Sequence, residues 1–120
     1  MAEVKKINHK GKTIFYADHR GLQGDKILEN QNTLLEMIKS ENIINALSIT
    51  DMRDVVVSQS VNEGMKKIGN NILQYSKKAA VVGMASGLKQ IIISGFLKIA
   101  SKPMALFNTI EEAKEWLVKD

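Results

Sequence analysis

From Thr13 onward the chain alternates between short strand-like runs and longer stretches of helical period, and this alternation constrains its fold more than any other feature. Ala46–Thr50, Ala79–Val82 and Met104–Phe107 are short and rich in apolar residues, the length and composition of strands. Between them lie segments whose apolar residues recur every three or four positions. Asp25–Ser40 places Ile27, Leu28, Leu34, Leu35 and Ile38 on one stripe. Ser60–Tyr75 does the same with Val61, Met65, Ile68 and Ile72. Two further strands, Val4–Asn8 and Thr13–Asp18, flank His9-Lys10-Gly11-Lys12, a tight hairpin turn in which Gly11 takes positive φ. The predicted order is β-β-α-β-α-β-α-β-α. Strands joined through helices run parallel, so the chain is read as one α/β domain over residues 1–120: a mixed, mostly parallel sheet with an N-terminal hairpin and about four helices.

Several local signals mark the elements. Leu47 and Ile49 alternate with Ser48 and Thr50, which predicts a strand with one wet face. Gly64 and Gly69 weaken the second helix, at about 1 kcal/mol each against alanine, and are expected to let it approach the sheet. Ser86 reads as the N-cap of a third helix running to Ser101, and Pro103 stops the chain before the last strand. Thr109-Ile110-Glu111-Glu112 has the pattern of a capping box opening the closing helix, whose Ala113, Trp116 and Leu117 face inward.

Composition removes several function classes. None of the 120 residues is cysteine, which excludes a disulfide scaffold, thiolate metal sites and a cysteine nucleophile. Neither a phosphate-binding glycine loop nor a zinc-protease helix motif is present, and no cofactor or metal is expected. No stretch reaches the ~18 apolar residues of a membrane span or has the form of a signal peptide, so the expected compartment is the cytoplasm. The net charge of +4 raises nucleic acid as a partner, but 15 of the 17 basic residues are scattered lysines and aromatics make up only 5%. That is a solvated surface without a stacking platform, and no nucleic acid is expected. His9 and His19 both fall in predicted turns and are read as solvated.

The two arginines are more telling. Each stands two residues after an aspartate at a predicted strand end, in Asp18-His19-Arg20 and Asp51-Met52-Arg53. Parallel neighbours would bring both units to the carboxyl edge of the sheet, where open α/β folds bind ligands. Gly83–Gly87, leading into the third helix, would reach the same edge. Arg20, Arg53, Ser86 and Gly87 are therefore candidates for an anion site. The competing reading has each arginine paired with Asp18, Asp51 or Asp54, bracing its loop.

The third helix carries a second apolar stripe, Ile93, Phe96, Leu97 and Ala100, beside the stripe of Leu88, Ile91, Ile92 and Ile99. One stripe suffices to pack a helix on a sheet, so the second needs a cover. A neighbouring helix, a protein partner or second copy of the chain, and a lipid-like ligand are the three candidates.

Leu47-Ser48-Ile49-Thr50-Asp51, Lys78-Ala79-Ala80-Val81-Val82-Gly83 and the segment from Leu106 to Leu117 resemble, in order and spacing, the SpoIIAA-like family of STAS-like domains. Phe107, Thr109, Glu111, Glu112, Ala113, Trp116 and Leu117 form the most specific part of the match. The resemblance runs from about Lys6 to the end. It implies βα units wound as a superhelix, helices largely on one side of the sheet, and no metal or nucleotide motif. It also implies a regulatory or protein-interaction module without catalysis. STAS domains of anti-sigma-factor antagonists bind a kinase and are switched by phosphorylation of a serine in an Asp-Ser-x-Gly-like turn. The matching stretch, Asp54–Ser60, lacks both the Asp-Ser pair and the glycine, and Ser58 and Ser60 are its only serines. The family is also similar to lipid-binding CRAL-TRIO domains, which keeps open a small carrier of a lipid-like ligand, its acidic head group meeting Arg20 or Arg53.

Overall fold

The computed structural model describes residues 3–42, 44–83 and 104–119. Strands β1 (Glu3–His9) and β2 (Lys12–Asp18) form the expected hairpin. Its central residues Lys10 and Gly11 both have positive φ, 51° and 80°, and His9 pairs with Lys12 across the turn. Positive φ at both central positions matches the right-handed twist of the two strands. Helix α1 (Asp25–Ser40) leads to β3 (Ala46–Asp51), and α2 (Gln59–Gln74) leads to β4 (Ser76–Val82). Strand β5 (Met104–Phe107) and helix α3 (Ile110–Val118) close the chain. The described residues contain three helices; the helix read at 86–101, which would make the fourth, lies outside them. So do Ser86, Gly87, Ile93, Phe96, Leu97 and Ala100.

The sheet has the order β1-β2-β3-β4-β5, with only the hairpin pair antiparallel. Strand parity divides the core in two. Phe15 and Ala17 face α1 and α2, where they meet Leu34, Leu35, Ile38 and Ile72. Ile14, Leu47, Ile49, Ala80 and Val82 face the opposite side and pack on Ala113 and Leu117 of α3. A fully buried isoleucine or leucine contributes roughly 1.5–3 kcal/mol, so each face supplies a substantial share of the stability. Two of the three described helices thus share one side, and the closing helix takes the other.

Two expectations about packing need correction. The Ser48 and Thr50 face of β3 is not wet: every residue of β3 is buried. Residues of α1 and α2 cover it, and Gln31 Nε2 donates to Thr50 Oγ1 at 3.1 Å, which gives that buried hydroxyl a partner. Gly64 serves the contact between helices rather than the approach to the sheet. A Cβ there would lie 2.8 Å from Leu28 Cδ2 of α1.

The closing helix starts where its sequence predicts. The Glu112 amide donates to Thr109 Oγ1 at 3.2 Å, and the same hydroxyl donates to Glu112 Oε1 at 3.0 Å. The Thr109 hydroxyl thus caps the helix, while Glu112 meets that hydroxyl rather than reaching back to the Thr109 amide as the capping box has it. At the other end Lys78 donates to the carbonyls of Trp116 and Lys119, both at 2.7 Å, while standing over the Trp116 ring. A cation there complements the helix dipole and the last free carbonyls.

Candidate functional site at the carboxyl edge

The parallel register of β2 and β3 sets Asp18 beside Asp51. Both strands therefore release their Asp-x-Arg units at the same edge, as the sequence predicted. The edge is stitched beyond the strands: the His19 amide donates to the Asp51 carbonyl, Met52 to Val82, and Gly83 to Phe107. Gly83 has φ 82°, and a Cβ on it would fall 2.3 Å from Arg53 Cγ and 2.7 Å from Arg53 Cα. Only glycine lets the chain leave β4 this close to the β3 turn.

The two units are built alike. The Arg20 amide donates to Asp18 Oδ1 at 3.0 Å, Nε donates to the same oxygen at 2.9 Å, and Nη2 donates to Oδ2 at 2.9 Å. Arg53 repeats the pattern on Asp51, at 3.1 Å from the amide, 3.0 Å from Nε and 2.8 Å from Nη2. These are bidentate, charge-assisted bonds, the strong kind. The arginines are thus paired with their own aspartates, as the bracing reading has it.

Asp51 differs in its surroundings. It is fully buried, and Tyr16 OH donates to its Oδ2 at 2.5 Å. Burial pushes its pKa up, but the bonds from Arg53 and Tyr16 outweigh that and hold the carboxyl below the ordinary 3.8. Asp18 is also lowered, chiefly by the Arg20 bond. Tyr16, desolvated and beside a carboxylate, keeps its proton well above the usual range of a phenol.

His19 corrects the expectation of a solvated turn residue, for it has no exposed surface. Its ring enters the face covered by α1. Asn30 Nδ2 donates to the Asp18 carbonyl at 3.0 Å and meets His19 Nδ1 at 2.9 Å. A carbonyl only accepts, so that nitrogen is the donor and Nδ1 the acceptor. Nε2 then carries the proton and donates to Gln31 Oε1 at 2.6 Å. Burial pushes the His19 pKa below 6.5, against smaller raising effects from Gln31, Asp18 and Asp51. The imidazole is a neutral, saturated bridge between β2 and α1. His9, by contrast, stands at the hairpin and bonds Glu115 at 2.6 Å.

The site residues missed in the sequence are Tyr16, Asn30 and Gln31; Gly83 was read at this edge, but not its close packing against Arg53. Asn30 and Gln31 did leave a signal. They lie three and four residues after Ile27, on the apolar stripe of α1, and polar groups there need buried partners. Ser58, in the stretch matched to the STAS phosphoserine turn, caps α2 by accepting from the Val61 amide at 3.2 Å.

Past the two turns, a groove of about 410 Å³ runs between loops 21–24 and 54–58. Val56 stands on it with 89% of its surface exposed. Deeper in, a cavity of about 40 Å³ lies between α2 and the sheet, bordered by Gln31, Thr50, Met65 and Leu73. It has room for roughly three waters, far short of a lipid chain. The second stripe proposed to line a lipid pocket lies outside the described residues. Among the described residues, no group of acidic and histidine side chains could hold a metal. Nor is any helix among them long and apolar enough to cross a membrane.

No family model matches the chain, and no curated protein matches it. A solved structure does. It is an uncharacterized protein of the DUF3478 family from Shewanella loihica PV-4, described as having a SpoIIAA-like fold. The match covers 97% of this chain and 93% of that one, with a TM-score of 0.65 and 12% identity. The segments at Leu47–Asp51, Lys78–Gly83 and Leu106–Leu117 pointed to the same architecture, and the chain has a SpoIIAA-like fold.

Proposed function

We propose that the protein is a non-catalytic regulatory module of the STAS-like type, which docks a protein partner or a second copy of itself on its carboxyl-edge loops 18–21 and 51–57. The observation that carries this reading is the condition of Asp18, His19 and Asp51, the groups from which an acid–base site would be assembled. Both carboxylates are occupied on each oxygen, and the imidazole is sealed and saturated. An acid–base enzyme needs its base in reach of the substrate. Here the same groups hold the loops in place, and Val56 and the groove beside it are left as contact surface. The architecture shared with the Shewanella protein supports the STAS-like assignment at the level of fold.

The test compares the wild-type chain with V56D, by sedimentation for self-association and by capture of partners from the source cell. Binding that V56D abolishes while its circular dichroism is unchanged supports the reading. Binding that V56D leaves intact contradicts it.

A further inference from the structure

We propose that Arg20 and Arg53 together form a binding edge for a single oxyanion, the phosphate or carboxylate group of a ligand. A guanidinium has five N–H donors. Each arginine spends two of them, one on Nε and one on Nη2, on its own aspartate. On Arg20, Nη1 and the second N–H of Nη2 have no acceptor among the described residues, while the Arg53 guanidinium also lies within hydrogen-bond reach of the Tyr16 hydroxyl, which leaves it fewer free N–H groups. Both side chains reach solvent, Arg20 at 49% and Arg53 at 35% of their surface.

The two groups converge. Arg20 Nε lies 3.6 Å from Asp51 Oδ2, the oxygen that Arg53 Nη2 reaches at 2.8 Å. Two cations are thus held around one carboxylate oxygen at the edge where α/β sheets receive ligands. The aspartates direct their oxygens inward onto the arginines and Tyr16, and the unused N–H groups are what remains for a ligand.

At the β2 turn bracing alone does not explain the guanidinium contacts, because Asp18 keeps part of its side chain in water, whereas at the β3 turn Arg53 also neutralises the buried Asp51. Each turn is already closed by a backbone amide, Arg20 N to Asp18 and Arg53 N to Asp51, and any residue but proline supplies that donor. What the side-chain bonds add is a fixed arginine. A fixed arginine loses little rotamer freedom when it binds, which is how preorganisation raises affinity. Planar N–H edges of this kind suit an oxyanion with two oxygens to offer. The four charges sum to zero, so directed bonds rather than net field hold the ion. The expected dissociation constant for a free ion is on the order of millimolar.

The inference concerns the same edge as the proposed docking surface and rests on that reading for its biological use, but its test does not depend on a partner. The 15N-labelled full chain is titrated with inorganic phosphate, and separately with acetate, against sodium chloride of equal ionic strength. Saturable shifts of the Arg20 and Arg53 Nε–H signals and of the amides of 19–21 and 52–54 are expected. They should weaken about tenfold in R20Q, which keeps the turn amide, and in R53K, which keeps a cation beside Asp51. Saturation by phosphate alone supports the site and assigns a phosphorylated ligand; saturation by acetate as well supports it and admits a carboxylate. Shifts no larger than those with chloride overturn the inference, as does binding unchanged in both folded variants.

Discussion

The Asp18–Arg20 and Asp51–Arg53 turns share one local chemistry and differ in where they sit. Both use the same three bonds from arginine to aspartate. Asp18 keeps 17% of its side-chain surface in water, whereas Asp51 keeps none and also takes the Tyr16 hydroxyl. An exposed ion pair contributes about 0–1 kcal/mol, because water solvates either partner when the other is lost. A buried carboxylate has no such refuge, and removing its cation strands the charge. Identical sequence motifs therefore do unequal work: the β3 turn secures the edge, and the β2 turn presents its arginine.

That contrast can be broken or sharpened by substitution, and the largest effect belongs to Arg53. R53A should destabilise the fold by about 3 kcal/mol in urea unfolding, the low end for a broken buried pair because Arg53 itself is partly in water. G83A comes next, at about 2 kcal/mol. It combines a strained φ of 82° with a Cβ placed 2.3 Å from Arg53 Cγ, so it attacks the β3 turn from the neighbouring strand.

The third effect is one of pH. The folded pKa of His19 is depressed below 6.5, so the unfolded chain takes up its proton first as pH falls. The stability that neutral His19 contributes is complete above pH 6.5 and is lost as pH falls from there through the folded value. Urea midpoints should fall over that range in the wild type, and H19Q should remove that part of the slope. Asp18 and Asp51 act lower: their contribution is present above 3.8 and is lost as pH falls through their depressed folded values. The smallest effect is R20A, at no more than about 1 kcal/mol, with the oxyanion response weakened about tenfold all the same.

Much of this edge was legible in the sequence, and what was not has a physical reason. Asp25–Ser40 and Met104–Phe107 were read at their observed limits, because a clean apolar stripe and a short run after Pro103 leave little choice. β4 begins at Ser76 rather than Ala79: Ser76-Lys77-Lys78 is polar, yet Ala46 of β3 pairs with it, and only the neighbouring strand reveals that. The Asp-x-Arg units were found because their spacing is local. The burial of Asp51 and its bond to Tyr16 depend on register across two strands, which no local pattern encodes. His19 was misread for the same reason. Turn residues usually face water, but this one is capped by Asn30 and Gln31, eleven and twelve residues along the chain.

The central claim is that the two turns are alike in bonding and unequal in consequence. Double-mutant cycles on Asp51/Arg53 and on Asp18/Arg20, with alanine at each position and urea unfolding as the readout, test it most directly. A coupling energy of roughly 2–3 kcal/mol for the first pair and under about 1 kcal/mol for the second is the predicted result. Equal couplings, or a larger one at Asp18/Arg20, would contradict it.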